Sequence, residues 1–297
     1  MYQHKKVIML TGGSGFVGKH FIQKYSEKYN IISVNLKNTN IGDLDFQEVD
    51  AVIHLAALVH QDNNISREEY FKVNTELTEK LAIFAKRAKV KHFIFFSTVK
   101  VYGYDGEVKN HSRVLTENDK CRVTGDPYGE SKLEAERRLQ ILEDKFFCVS
   151  ILRPPMIYGA GVKGNMKLLV SLIQTFPVLP FSYSQNRRSL VSIQNLLYCL
   201  ELVIEQEKSG IFLPLDEKNI SIQEMVEGIE KALALKRVNI SFPPFLFHIL
   251  GKLCPSIINR LYGSLQFDNS ETKRKLGYQA KISYEEGIKK MLEKEKK

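Results

Sequence analysis

The sequence has few cysteines, and none of them stand in the spacing that zinc sites or disulfide frameworks use. The four cysteines lie far apart, without a Cys-x-x-Cys pair, at Cys121, Cys148, Cys199 and Cys254. We therefore expect neither a disulfide-stapled fold nor a metal site. No stretch approaches about 18 consecutive apolar residues, which excludes a membrane-spanning helix.

The chain also lacks a block of positive charge, although it is basic overall. Its 43 Lys and Arg exceed 34 Asp and Glu, giving a net charge of +9. Without an arginine-rich run or a basic–aromatic patch, nucleic acid is not the expected partner, and a small anionic ligand such as a nucleotide explains the excess equally well.

The composition is that of a soluble globular protein, and 297 residues allow one large or two ordinary domains. The polar start (residues 1–6) argues against a secretory signal peptide, and a cytoplasmic location is expected.

Strand and helix patterns alternate through the first half. Continuous apolar strands that alternate with helices are typical of a parallel sheet covered on both faces, which predicts a doubly wound α/β fold. The predicted strands are 7–10, 31–36, 51–55, 92–97 and 147–152, and the predicted helices are 16–29, 66–88 and 127–143.

After Arg153 the rhythm loosens and prolines separate shorter elements. We expect a dinucleotide-binding domain over residues 1–164, joined again by about 187–205, and a smaller, mainly helical substrate-binding domain over 165–297. Two Ser-x-x-Glu capping boxes, Ser221/Glu224 and Ser283/Glu286, open late helices. The apolar segment 242–258 is expected to pack as a helix in the small domain rather than to lie on a membrane.

A glycine-rich turn stands between the first predicted strand and the first predicted helix, in the sequence TGGSGFVG (11–18). Three glycines at this spacing allow a tight turn, close approach of a pyrophosphate and close packing of helix on strand, and the helix N-terminus then faces the phosphates. The context predicts a Rossmann-type dinucleotide site that includes Gly12, Gly15, Phe16, Val17 and Gly18.

The end of the second strand bears on which dinucleotide binds. An acidic residue there would bond the adenosine 2′-hydroxyl and repel a 2′-phosphate. The sequence instead has Asn35 and, two residues later, Lys37, which could pair with a phosphate. NADP(H) is therefore favoured, and NAD(H) remains possible. Asp43 and Leu44 are candidate adenine contacts, although Asp43 could simply cap a turn.

The sequence YGESK (128–132) opens a predicted helix and places Tyr128 and Lys132 one turn apart on the same face. A tyrosine has a pKa near 10 and needs a neighbouring cation that favours its phenolate before it can act as a base near neutral pH. A strand that ends in Ser97 and Thr98 would bring hydroxyl groups beside this tyrosine. These three residue types predict an acid–base site.

Six motifs together resemble the extended branch of the short-chain dehydrogenase/reductases, the nucleotide-sugar epimerase, dehydratase and reductase group. The resemblance spans about the first 165 residues and is thinner afterwards. The motifs are TGGSGFVG (11–18), HLAA (54–57), VNT (73–75), STVKVYG (97–103), YGESK (128–132) and RPPMIYG (153–159).

The resemblance implies roles for individual residues. Tyr128 would be the acid–base, Lys132 would hold the nicotinamide ribose and lower the pKa of that tyrosine, and Thr98 would complete the triad. Further cofactor contacts would be Leu55, Ala56, Ala57, Asn74 and Pro155, and further substrate contacts would be Ser97, Tyr102, Asn165, Arg188 and Arg260. Asn74 could instead cap a helix, Arg188 could be a surface charge, and His54 is expected to be a buried structural histidine. A homodimer through helices 68–88 and 128–143 would also be typical.

Two reactions fit this site. A 4-ketoreductase would reduce a UDP-4-keto-6-deoxy-N-acetylhexosamine for surface-polysaccharide biosynthesis, and a UDP-sugar 4-epimerase would use bound NAD. Asn35 and Lys37, together with the short connection between the second and third strands, favour the reductase. A 4,6-dehydratase is disfavoured because dehydratases of the family that this sequence resembles usually have an Asp–Glu pair just after the catalytic hydroxyl. Here Val99 and Lys100 occupy those positions. The sugar and its carrier, whether nucleotide or lipid, are left open.

Overall fold

Six parallel strands form the central sheet of the chain. The computed structural model describes residues 5–59, 65–108, 112–241, 253 and 255–293. The sheet strands are β1 (Val7–Thr11), β2 (Asn30–Val34), β3 (Ala51–His54), β4 (His92–Phe96), β6 (Cys148–Leu152) and β10 (Gly210–Phe212). They lie in the order β10-β6-β4-β3-β1-β2, and every neighbouring pair is parallel. The predicted doubly wound fold is confirmed.

Short strand pairs lie outside this sheet. They are formed by β5 (Val114–Leu115) with β12 (Gln266–Phe267), β7 (Met156–Tyr158) with β9 (Leu190–Ser192), and β8 (Val178–Leu179) with β11 (Val238–Asn239). The helices are α1 (Phe16–Tyr25), α2 (Arg67–Phe71), α3 (Leu77–Arg87), α4 (Pro127–Leu142), α5 (Asn165–Thr175), α6 (Ile193–Gln206), α7 (Ile222–Leu233), α8 (Pro255–Tyr262), α9 (Ser270–Leu276) and α10 (Tyr284–Glu293). None of the described helices is long and apolar enough to cross a membrane.

Helices cover both faces of the sheet, as the apolar strands require. In β1, Ile8 and Leu10 pack with α1 and α6, whereas Val7 and Met9 point to the other face and pack with α3 and α4. This alternation follows from the two-residue period of a strand. Each face therefore has its own buried core.

The helix expected over 66–88 is interrupted. Ser66 and Glu69 form the predicted capping box at its start, but a π-helical stretch, Lys72–Glu76, separates α2 from α3. The Thr78 hydroxyl, from α3, donates to the carbonyl of Asn74 in this stretch, and the Asn74 side chain points away to bond the loop after β3. A π-bulge of this kind is frequent at functional sites.

A second core lies among α5, α7, α8 and α10 and includes Met166, Val226, Ile258 and Ile288. Between α5 and α7 the chain returns to the sheet through α6 and then forms the sixth sheet strand, β10, at 210–212. The segment that rejoins the sheet therefore extends beyond the expected range of 187–205. The Ser221/Glu224 box is present, and Ser283 accepts a bond from the Glu286 amide. Most of the apolar segment 242–258 lies outside the described residues, as do Cys254 and 294–297.

The carboxyl ends of all six strands lie at one edge of the sheet, because the strands are parallel. The chain passes from β1 to β2 on one side and then crosses to β3 on the other side of β1. The switch point is therefore between β1 and β3, where ligands of open α/β sheets bind. The glycine turn after β1 and the segment after β3 meet there.

Candidate active site

The glycine turn after β1 lies against the backbone that follows β3. Gly12 has φ +73°, and a Cβ at this position would come within 2.7 Å of the Ala56 backbone nitrogen. A Cβ on Gly18, in the first turns of α1, would come within 2.5 Å of the Gly12 carbonyl oxygen. Only glycine permits both approaches. No side chain caps the start of α1 at Gly15, so the first backbone N–H groups of α1 can donate hydrogen bonds to a phosphate. The cradle formed by the glycine turn and the start of α1 therefore fits a dinucleotide.

Asn35 and Lys37, the residues expected to bear on the choice of dinucleotide, lie just beyond the end of β2. Val34, the last residue of β2, pairs with Thr11 of β1, so Asn35 is the first residue beyond the strand. The Asn35 side chain accepts a hydrogen bond of 3.1 Å from the Lys37 backbone, and both side chains are exposed. The strand predicted over 31–36 therefore ends at Val34, where this turn begins.

Asp43 and Leu44 lie at the far side of the same region. Asp43 is exposed and ends a 3₁₀ turn (Ile41–Asp43) that Asn40 caps, so Asp43 itself is not the capping residue. Leu44 is half-buried against the core beneath α3. Their contact with adenine stays a prediction.

Two buried side chains fix the segment 55–58 that follows β3. The Thr11 hydroxyl lies 2.7 Å from Nδ1 of His54 and accepts from the Ala56 amide at 3.3 Å. The Asn74 amide accepts from the Leu58 N–H at 2.8 Å and donates to its carbonyl at 3.0 Å. The half-buried residues Leu55, Ala56 and Ala57 are thereby held facing the glycine turn.

His54 is a structural residue. It is fully buried, and its other ring nitrogen, Nε2, lies 2.9 Å from the Thr78 hydroxyl. Burial lowers the pKa of His54 to about 3, so the ring is neutral and both nitrogens have partners. This agrees with the sequence-based expectation.

Tyr128 and Thr98 meet at the carboxyl end of β4. Tyr128 is the second residue of α4, and the half-buried Thr98 side chain lies close enough to its phenol to favour the phenolate. Burial raises the pKa of Tyr128, and Asp126 raises it further, while Thr98 lowers it. In the protein alone the phenol is therefore protonated at neutral pH. The lowering expected from Lys132 is not among these effects and stays a prediction.

Lys132 lies one helical turn further along α4 and is almost completely enclosed, with 2% of its surface exposed. Its Nζ donates to the Phe96 carbonyl oxygen at 2.6 Å and lies 4.4 Å from the centroid of the Phe95 ring. Burial lowers the pKa of Lys132 to about 7, although Glu136 acts in the opposite direction. The amine is thus anchored to the end of β4, beside Thr98.

A buried polar network behind the site was not predicted from the sequence. Arg153 donates from Nε to Glu136 at 3.0 Å and from Nη2 at 2.5 Å, and Ser97 also donates to Glu136. A third Arg153 nitrogen donates to the Tyr102 hydroxyl at 2.8 Å. A signal existed: Glu136 lies four residues after Lys132, on the same helix face.

This network bears on two predicted substrate contacts. Tyr102 is fully buried and Ser97 is 4% exposed, and both use their hydroxyl groups inside the protein. Tyr102 and Ser97 therefore support the site from beneath. Their direct contact with substrate remains a prediction, and this geometry does not favour it. Pro155 is buried and follows Pro154, whose carbonyl accepts from the Val99 amide at 3.3 Å. Pro155 is therefore adjacent to the turn that carries Thr98.

Two of the predicted substrate contacts, Arg188 and Arg260, lie together around the loop that carries Asp105. Arg188 donates to backbone carbonyls of Gly263 at 2.8 Å, Asn259 at 3.3 Å and Asp105 at 3.4 Å. Arg260 forms an exposed ion pair with the Asp105 side chain at 3.3 Å. Arg188 is thus not a plain surface charge. Asn165 is the exposed first residue of α5, and no described contact joins it to these arginines.

Within the described ranges, no group of three or more His, Cys, Asp or Glu side chains is arranged to hold a metal ion. What the site does offer is a phenol, a hydroxyl and an amine at the end of β4, beside the cradle formed at the ends of β1 and β3. Such a set can transfer a proton to or from a substrate oxygen.

Comparisons with known proteins agree with this geometry. The profile of the NAD dependent epimerase/dehydratase family matches residues 8–212. A UDP-glucose 4-epimerase from Vibrio cholerae is 35% identical over 311 aligned positions, which cover 96% of this chain and 94% of the relative.

Solved structures share the fold at lower identity. A UDP-glucuronic acid 4-epimerase from Bacillus cereus in complex with NAD is 19% identical, with a TM-score of 0.74 and 97% of each chain covered. A dTDP-4-dehydrorhamnose reductase from Bacillus anthracis in complex with NADP is 18% identical, also with a TM-score of 0.74, and covers 98% of this chain and 100% of its own. The same fold therefore holds NAD in one protein and NADP in another.

Proposed function

This chain belongs to the NAD-dependent epimerase/dehydratase family, and on that basis we propose that it catalyses oxidation or reduction at C4 of a nucleotide-linked sugar. The observation that carries the proposal is that Tyr128, Thr98 and Lys132 come together at the carboxyl end of β4, beside the dinucleotide cradle, with Lys132 one helical turn beyond Tyr128. When bound, a nicotinamide dinucleotide supplies or removes the hydride. The protein's own residues manage the accompanying proton.

Tyr128 is the proton donor and acceptor in this proposal. For reduction, its phenol donates a proton to the oxygen attached to C4, and Thr98 holds both the phenol and that oxygen in line. Burial raises the pKa of Tyr128, so the phenol begins in the protonated form that a donor requires. Lys132, with a pKa of about 7, can carry a positive charge next to the phenolate that remains after the proton has left.

We propose the reductive direction, with NADP(H) as cofactor and a UDP-4-keto-6-deoxy-N-acetylhexosamine as substrate. Support comes from the end of β2, where Asn35, and not an acidic residue that would bond a 2′-hydroxyl, directly follows the strand. Lys37 stands exposed two residues later and can pair with a 2′-phosphate. Arg188 and Arg260, which share the Asp105 loop, are the proposed contacts for the nucleotide diphosphate.

A second candidate function is a UDP-sugar 4-epimerase that retains NAD. The specific observation in its favour is the 35% identity to the Vibrio cholerae UDP-glucose 4-epimerase over nearly the full length of both chains. This reaction would use the same Tyr128, first as a base and then as an acid.

The test is a coupled assay that separates the two reactions. Purified protein is offered UDP-4-keto-6-deoxy-N-acetylglucosamine with NADPH or NADH, and in parallel UDP-glucose and UDP-N-acetylglucosamine without added cofactor. We expect NADPH consumption with the keto sugar. Firmly retained NAD and interconversion of UDP-sugars without NADPH consumption would instead establish the epimerase, and inactivity with both sets would contradict the proposal.

A further inference from the structure

An ion pair that the proposed reaction does not use lies against the ring of Tyr128. Lys100 belongs to the 3₁₀ turn Val99–Tyr102, and Asp126 immediately precedes α4. Lys100 Nζ lies 3.2 Å from Asp126 Oδ2 and 5.7 Å from the centroid of the Tyr128 ring. Both charged side chains are about three-quarters buried.

The backbone fixes the position of this pair. The Lys100 amide donates to the Thr98 hydroxyl at 3.3 Å, and the Lys100 carbonyl accepts from the Gly103 amide at 3.0 Å. Gly129 of α4 packs closely on that carbonyl, since a Cβ there would lie 3.3 Å from the oxygen. The turn that carries Lys100 is therefore held on the helix that carries Tyr128.

The groups that face Tyr128 come from each element packed around it. Lys132 lies on its own helix, Asp126 precedes that helix, Lys100 comes from the 3₁₀ turn, and Tyr70 of α2 lies with its ring centroid 6.4 Å away. Asp126 and Tyr70 raise the pKa of Tyr128, and Thr98 lowers it. A cation within about 6 Å of an aromatic ring is attracted by the ring and favours a negative charge on it.

We propose that Lys100 and Asp126 act on Tyr128 as opposed charges, Lys100 favouring the phenolate and Asp126 the neutral phenol. This inference rests on the acid–base role of Tyr128 in the proposed function. Both are positioning residues, because they act through Tyr128. Their mutual ion pair keeps the two influences in balance, so that removing either charge exposes the other.

The opposed signs make the inference testable with four proteins. The pH dependence of kcat/KM for keto-sugar reduction is measured for the wild type, Lys100→Met, Asp126→Asn and the double variant. We expect the falling limb, where the phenol loses its proton, to move up by about one pH unit in Lys100→Met and down by about one unit in Asp126→Asn. The double variant should return near the wild-type profile, and Lys100→Arg should retain it because the charge is kept.

A matched pair elsewhere serves as the control. Lys86 and Asp144 form an ion pair of 2.7 Å at the surface, with 33% and 42% of their side chains exposed. This pair lies at the opposite end of α4 from Tyr128, because Lys86 also donates to the Leu142 carbonyl. Lys86→Met and Asp144→Asn should leave the profile unchanged. Shifts of the same sign in Lys100→Met and Asp126→Asn, or no shift in either, would overturn the inference.

A measurement without substrate separates this inference from the proposed function. With 3-nitrotyrosine incorporated in place of Tyr128, the ionisation of that phenol can be followed by visible absorbance in the same four backgrounds. We expect the same order of apparent pKa values, highest in Lys100→Met and lowest in Asp126→Asn. If the apparent pKa values follow this order across the four proteins but the wild type turns over no nucleotide sugar, the proposed function alone is rejected. If the wild type turns over the keto sugar but the pKa values do not follow this order, the inference alone is rejected.

Discussion

Replacing Lys132 with methionine should change how the stability of the protein depends on pH. The amine is buried, and its pKa falls from 10.5 to about 7. The unfolded chain therefore binds more protons than the folded protein between these pH values. Since stability rises with pH wherever the unfolded state holds more protons, the cost of burying this ammonium is full below pH 7 and disappears above pH 10.5.

The magnitude follows from the size of the pKa change. At pH 6 the wild type carries nearly the whole cost of about 3.5 pKa units, and at pH 9 only about 1.5 units remain. The difference of about two units corresponds to roughly 3 kcal/mol. Methionine does not titrate, so the wild type should gain roughly 3 kcal/mol relative to Lys132→Met between pH 6 and pH 9. Loss of the bond to the Phe96 carbonyl adds a penalty to the variant that is the same at both pH values.

Urea unfolding at pH 6 and pH 9, without ligands, measures this difference directly. Lys167→Met, a change of an exposed lysine on α5, is the control and should follow the wild type at both pH values. A stability gap between wild type and Lys132→Met that stays constant from pH 6 to pH 9, or that changes in the other direction, would refute the reasoning.

Four further changes test the site. Tyr128→Phe should lower turnover by about 10³-fold while calorimetry shows unchanged dinucleotide affinity, because only the proton donor is lost; near-normal activity would contradict its role. Asn35→Asp should move the ratio of kcat/KM from NADPH toward NADH, because a carboxylate repels a 2′-phosphate. Arg153→Met should cost about 3–5 kcal/mol in urea unfolding, since Glu136 would stay buried without its cation, and a loss below 1 kcal/mol would argue against this network. Gly12→Ala should weaken dinucleotide binding at least tenfold by calorimetry, because its Cβ would meet the Ala56 backbone at 2.7 Å.

The sequence predicts the sheet and its edge well, because both depend on local patterns. Apolar runs that end in glycine, serine or small residues mark the ends of β1, β3 and β4, and parallel pairing brings these ends together without further information. The cradle of Gly12 and Gly18 and the pair Tyr128 and Thr98 therefore follow from short motifs.

Contacts between distant segments could not be read from the sequence in the same way. Asn74 bonds the Leu58 backbone from within a π-helical turn, and no local periodicity predicts such a turn. The spacing from Lys132 indicates that Glu136 lies near the site, but which partners Arg153 and Arg188 take depends on which segments the fold brings beside them.

The strand order of the sheet has a consequence for how the protein is made. The chain leaves the sheet after β6, which ends at Leu152, and supplies the last strand only at Gly210–Phe212. During synthesis, one edge of β6 therefore stays unpaired while residues 153–209 leave the ribosome, because β10, the strand that pairs with this edge, follows them in the chain. Translational pauses within that interval would lengthen the lifetime of an open sheet edge, which is the form most prone to pair with other chains.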